Sequence, residues 1–320
     1  MLDGTGVVDD RSAEDTGSPV AELSLATAVE LGHAWLQALF DRAGIRALFI
    51  KGPALHRHGL RPHRTSGDID VLVDPAAFDE LCDAVIGAGW RERGSTVLGR
   101  HMGKHSRTFL HDRWPCDIDV HRFYPGMLAL PEVTFEHLWS RRTLMDFAHR
   151  DCVVPDRTGS FLILALHSMR GTDRQPRHEE ELANLLRLEL TPTERQDISD
   201  LARLTGSAET LAPVLSALGI SAGDDASAVD PAQVRAWRER VDARSGAYFW
   251  ISAFRRASIR ERSQIVRAAV WPSAADLRLA LPHVGTDLRS MTLARAARWG
   301  RGIRSLPRAV RAIRAHRRDR

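Results

Sequence analysis

Apolar positions along the first half of the chain switch between two periods. Leu25, Val29, Leu36, Leu39 and Phe40 recur at helical spacing from about Glu22, and Gly44 follows as a stop. A short apolar run, Arg46 to Ile50, then has strand length and leads into Lys51-Gly52. Pro53 can open a short helix through Leu55, and residues 59–67 read as loop. Asp68-Ile-Asp-Val-Leu-Val73 is strand-like, and Asp74-Pro75 is an N-cap with proline in the first helical position. Phe78, Leu81, Cys82 and Val85 form the apolar face of the next helix, which Gly87 and Gly89 end. Residues 104–111 and 115–121 read as two strands around a turn at Asp112–Pro115. This order of elements predicts a small α/β sheet with helices packed on it.

Beyond about residue 150 the strand signal largely stops. Phe161–Met169 is an apolar helix, and Glu179–Leu190 is amphipathic. Thr191-Pro192-Thr-Glu194 is a capping box whose helix Gly206 ends. Asp230-Pro231 opens another helix; 248–270 and 273–281 are helical in pattern; and a tail from Met291 is interrupted by Pro307. The expected division is a disordered N-terminus over 1–20, a sheet-containing core over 21–152, a helical domain over 153–288 and an arginine-rich helical tail over 289–320.

Charge sharpens that last boundary. Residues 289–320 hold eleven arginines and one acid, a net of +10, whereas residues 1–288 carry a net of −6. The tail is therefore a solvated helix face, or a surface for a partner or an anionic surface; nucleic-acid binding is not implied. The chain has 320 residues, 43% of them apolar, so it can bury a sizeable core. No run approaches the ~18 apolar residues of a spanning helix, and the acidic, polar start is no secretory signal. Cys82, Cys116 and Cys152 are far apart, which argues against a disulfide scaffold and suits a reducing cytoplasm. The histidines at 56, 58, 63, 101, 105 and 111 fit no compact zinc set and read as loop residues. His167 reads as a hydrogen-bonded core histidine.

The chemistry concentrates in Gly67-Asp68-Ile-Asp70. Residues i and i+2 of a strand share a face, so Asp68 and Asp70 aim together and repel unless a cation sits between them. Mg²⁺ prefers such oxygen donors, and Gly67 leaves room for a phosphate to approach the backbone. Cys116-Asp117-Ile-Asp119-Val-His121 repeats the pattern. Three acids on neighbouring strands can hold two metals about 3.5–4 Å apart for phosphoryl transfer. Strand-edge solvation is the alternative on the residues alone, although aspartate is disfavoured within strands.

The segments LFIKGPAL, RPHRTSGDIDVLV and CDIDVHR together resemble the uncharacterised bacterial nucleotidyltransferases of the DNA polymerase beta-like superfamily. The resemblance covers roughly residues 25–190. It implies an α/β (α+β) fold, a small mixed-sheet nucleotidyltransferase core followed by a helical C-terminal domain. It also implies transfer of a nucleotidyl group from an NTP, ATP among the candidates, to a hydroxyl of a small molecule, peptide or protein. Asp68, Asp70 and Asp119 match the metal-binding catalytic carboxylates, for two Mg²⁺ ions. Gly52 matches the phosphate-binding turn; Lys51, Arg64, Gly67 and His121 complete the expected nucleotide site. One departure is Pro53, which has no N–H to offer a phosphate. An aminoglycoside-type acceptor would want an acidic pocket such as Glu179–Glu181, although exposed helix charge is the ordinary reading of that run. The non-enzymatic alternative is a degenerate nucleotidyltransferase fold that docks a partner through its arginine-rich tail.

Overall fold

The computed structural model describes residues 23–101, 105–170, 176–221, 229–243, 246–281, 284–285 and 287–315; the expectation for residues 1–20 lies outside them. Helix α1 (Leu25–Ala43) starts where the Ser24 hydroxyl accepts from the Thr27 amide and ends at Gly44, whose φ of 66° only glycine adopts freely. Strand β1 (Ala47–Ile50) and helix α2 (Gly52–Arg57) lead to β2 (Asp68–Val73). Asp74 then caps a short 3₁₀ turn that runs into α3 (Phe78–Gly87). β3 (Arg91–Glu92), α4 (Val97–His101), β4 (Ser106–Leu110) and β5 (Asp117–His121) complete the sheet, in the order β1-β2-β5-β4-β3. β2 and β5 run parallel and the other pairs antiparallel. The fold is thus a mixed α/β sheet followed by a helical C-terminal region.

Alternation along the strands divides the core. Phe49, Ile69, Val71, Val73, Ile118 and Val120 face α1 and α3 and are buried with Val29, Leu36, Phe40 and Leu81. Helix α1 lies so close that a Cβ at Gly32 would stand 2.3 Å from Ile69 Cδ1. Leu48, Ile50 and Leu72 point the other way, into a core shared with α6 (Arg157–Met169), α8 (Pro192–Leu204) and α9 (Ala208–Ala217). The acids of β2 and β5 lie on this second face, between the sheet and the helical region.

A two-stranded sheet, β6 (Thr143–Phe147) with β7 (Arg150–Val154), follows α5 (Pro131–Ser140) and has no counterpart in the sequence expectations. The capping box is present, with both of its reciprocal hydrogen bonds between Thr191 and Glu194. The amphipathic run expected at Glu179–Leu190 is α7 (Pro176–Leu186). The long helical run after α10 (Pro231–Ala243) is two helices, α11 (Gly246–Arg256) and α12 (Ile259–Val270). A second capping box, Ser258 with Glu261, starts the latter. α13 (Ala274–Ala280) precedes α14 (Leu288–Ala315), which runs through Pro307 without the expected interruption. Proline forfeits one backbone bond there, and packing of Ala309 and Ile313 against Tyr248 offsets it. No helix among the described residues is long and apolar enough to cross a membrane.

Candidate active site

Parallel pairing places Asp68 beside Asp117, Asp70 beside Asp119 and Leu72 beside His121. Neighbouring strands are about 4.8 Å apart, so Asp70 and Asp119 stand next to one another. Asp70, Asp119 and His121 each offer a ligand atom within 4.8 Å of the others. Asp68 shares their face one turn of the pleat away, and its Oδ1 accepts from Ser66 Oγ at 3.0 Å. Asp117 is also on this face but is engaged by Arg93.

Lys51 reaches this group because β1 sets Ile50 opposite Asp70. Its Nζ lies 2.5 Å from Asp70 Oδ1, with both side chains almost wholly buried. The backbone of Lys51 has φ 66° and ψ −145°, a conformation near one that only glycine adopts readily and that costs other residues about 1–3 kcal/mol. The buried ion pair holds it there. Burial opposes the Lys51 charge, but the Asp70 carboxylate prevails and raises its pKa. Gly52 continues the turn with φ 54°, and its carbonyl accepts from Arg61 Nη2 at 2.8 Å.

His121 is 2% exposed, and its Nε2 lies 2.9 Å from Asp70 Oδ1. Burial, and next the Lys51 charge, push its pKa down to about 3, so the ring is neutral. Donating from Nε2 leaves Nδ1 as a lone pair, buried and without a partner. Asp119, opposite Thr108 of β4, has its pKa raised by burial and by the adjacent Asp70. Its Oδ1 is buried and unpartnered. Buried carboxylate oxygens are almost always satisfied. An orphaned one beside a second carboxylate fits a hard divalent cation, with Asp70 and Asp119 as ligands and Asp68 nearby.

Of the residues expected at the nucleotide site, Lys51 and His121 join the cluster. Gly67 is open, since a Cβ there would meet nothing within 4 Å, and its carbonyl accepts from the Asp117 amide. Arg64 turns elsewhere. With Arg61 it approaches Glu181 Oε1, at 3.4 and 3.3 Å, and Ser168 Oγ donates to the other oxygen. Glu181 is therefore buried and neutralised, in place of the exposed helix charge expected, because α7 turns it toward α6 and the loop before β2. His167 and His178 join Glu181 in a second group within 4.8 Å. His167 Nδ1 and both nitrogens of His178 are buried without partners, and His167, expected as a hydrogen-bonded core residue, is half-buried beside them.

Three residues were missed. His105, read as loop, has its ring centroid 5.8 Å from that of His121, and burial, then His121, push its pKa down to about 3. Its place immediately before β4, antiparallel to β5, is the signal that would have found it. His33 stacks on Phe147 at 4.5 Å beneath the Gly52 turn. Arg61 had no sequence signal, since its role depends on the distant Glu181.

Two solved structures are similar to parts of this chain. An antigenic nucleotidyltransferase-like protein from Paracoccidioides brasiliensis is 13% identical, with a TM-score of 0.37 over 62% of this chain and 93% of the other. The lincosamide antibiotic adenylyltransferase LnuA, lincomycin-bound, is 15% identical, with a TM-score of 0.31 over 55% of this chain and 96% of the other. No curated protein sequence matches the chain significantly. Residues 26–218 match the family described as uncharacterised nucleotidyltransferase. That match spans more than half of the chain, and the protein belongs to this family.

Proposed function

We propose that the protein is an active, Mg²⁺-dependent nucleotidyltransferase, moving an NMP group from an NTP to a hydroxyl of a small molecule, peptide or protein. The observation that carries the reading is the unpartnered, buried Oδ1 of Asp119 beside Asp70. Asp70 and Asp119, with Asp68, would hold Mg²⁺, which supplies charge neutralisation at the phosphates. Asp119 accepts the proton of the attacking hydroxyl, a task that its raised pKa suits. The hydroxyl oxygen forms a bond to the α-phosphorus. The bond from that phosphorus to the oxygen bridging to the β-phosphate breaks, and pyrophosphate leaves with the electron pair. His121 orients Asp70 through its Nε2–H. Lys51 balances Asp70 in the absence of a cation and serves the triphosphate at the Gly52 turn when a cation takes that carboxylate.

A second reading is a degenerate fold used for binding. Pro53, in the first turn of α2, favours it by removing one amide from the phosphate-binding turn. Thermal-shift titration with each NTP, with and without Mg²⁺, separates the two. A ligand at 100 times its Kd adds about 2.7 kcal/mol. The active reading expects a Mg²⁺-dependent shift with at least one NTP, absent in Asp70→Asn and Asp119→Asn. No shift with any NTP refutes it.

A further inference from the structure

Arg170 and Arg240 are charged side chains that the chemistry above leaves unused. Arg170 caps the C-terminus of α6 with its guanidinium 5.0 Å from the centroid of the Tyr124 ring. Arg240, on α10, stands 5.2 Å from the Phe249 ring. Nη1 of Arg170 and Nε of Arg240 are buried with no hydrogen-bond partner. Other arginines at the sheet–helix junction are matched with acids: Arg61 and Arg64 with Glu181, Arg141 with Asp156 and Asp197, Arg157 with Glu194. Among the described residues neither Arg170 nor Arg240 has an acid within ion-pair distance. Burial, and next the Arg170 charge, push the Arg240 pKa down to about 10, so the two cations repel one another. Both side chains are half-buried, and a partly buried charge without an acid is costly, two of like sign more so. A protein keeps such a pair where an anion completes it.

A cavity of about 390 Å³ opens at Arg240, between the loop 123–131 and helices α10 and α11. Phe123, Trp237, Tyr248 and Phe249 give it aromatic walls, and Arg256 adds a second positive charge. It begins beside the candidate active site. Phe123 is two residues beyond His121, and the His105 ring stands 6.0 Å from Phe123 and 5.8 Å from His121.

We propose that Arg170 and Arg240 bind a phosphate or carboxylate group carried by the acceptor, whose apolar or aromatic body occupies this cavity. The proposal rests on the nucleotidyl-transfer reading and names the acceptor's class: an anion. A polycationic acceptor of the aminoglycoside type is disfavoured, because the pair would repel it and Glu181 is already held by two arginines. The acceptor is the source of the anion, rather than the NTP, because both arginines of the cavity wall, Arg240 and Arg256, and half of the wall itself lie beyond residue 218, where the family match ends. The NTP is what the family has in common; the acceptor is what a region outside the match can vary.

Calorimetric titration of inorganic phosphate into the full-length protein, saturated with Mg²⁺ and a non-hydrolysable ATP analogue, tests the proposal. The wild type is expected to bind phosphate, and Arg240→Met and Arg170→Met to bind it about tenfold more weakly, the effect of losing one charge-assisted hydrogen bond. Each variant is expected to bind the ATP analogue as the wild type does. Each is also expected to melt at a higher temperature than the wild type without phosphate, because methionine relieves the cationic repulsion. Phosphate affinity unchanged in both variants, or no phosphate binding by the wild type, overturns the proposal. A comparable fall in affinity for the ATP analogue overturns it too, by assigning the pair to the triphosphate. If the wild type binds no nucleotide, the nucleotidyl-transfer reading fails by itself. Phosphate titration without nucleotide then still decides whether the arginine pair is an anion site.

Discussion

Removing Lys51 or Asp70 singly leaves a buried charge uncompensated, whereas removing both does not. The Lys51 side chain is 12% exposed and that of Asp70 is 3%, so solvent screening is slight. Breaking a buried pair from one side costs about 3–5 kcal/mol. Asp70→Asn is expected near the lower end, since its amide oxygen still accepts hydrogen bonds from Lys51 and His121. Lys51→Met leaves Asp70 and Asp119 side by side, and the raised pKa of Asp119 sets the pH dependence of the loss. At low pH Asp119 takes up a proton and the variant is milder; as pH rises through the raised pKa, repulsion grows. The double variant should lose less than the singles together, with a coupling of about 1–3 kcal/mol. Urea unfolding of the four proteins in EDTA measures this. Repeating the series in Mg²⁺ adds a second arm: Lys51→Met should gain more stability from the ion than the wild type, because the cation replaces the lost ammonium. A coupling below about 0.5 kcal/mol would refute the buried pair. Equal gains from Mg²⁺ in wild type and Lys51→Met would refute the carboxylate cradle.

Three further outcomes are expected. Burial pushes the His33 pKa down to about 4, so the folded state binds its proton less readily than the unfolded chain. This stabilisation is complete above about pH 6.5 and falls away toward pH 4, by about 3 kcal/mol in all; His33→Phe should flatten that part of a stability–pH profile. Gly32→Ala puts a Cβ against Ile69 and should cost about 1–3 kcal/mol in chemical denaturation. Thr191→Ala removes both the hydroxyl's bond to Glu194 N and its bond to the Glu194 carboxylate, and should cost about 1 kcal/mol by the same assay.

The local punctuation of the chain was legible without coordinates. Gly44 stops α1, Asp74 caps the 3₁₀ turn before α3, and Thr191 with Glu194 opens α8, because each acts on backbone groups within a few residues. Strand alternation likewise placed Asp68 with Asp70, and Asp117 with Asp119, on shared faces. Period alone does not say which strands become neighbours. The parallel pairing of β2 with β5 brings Asp70 beside Asp119, and the antiparallel pairing of β1 delivers Lys51 to them. Pro307 shows the opposite failure: a strong local signal was overridden by helix packing that involves Ala309 and Ile313.

Residues whose meaning depends on a distant partner could not be read at all. Glu181 is buried because Arg61 and Arg64, more than a hundred positions earlier, converge on it. Arg170 and Arg240 are conspicuous only because, among the described residues, the fold brings no acid within ion-pair distance of them. The sequence by itself determined the helix limits that Gly44, Asp74 and Thr191 mark and the strand faces, since these follow from short-range backbone geometry and alternation. Only the tertiary structure decided which charges are compensated and which are left open. Compensation is a matter of distance through space in a medium that screens weakly, and the order of residues along a chain does not contain it.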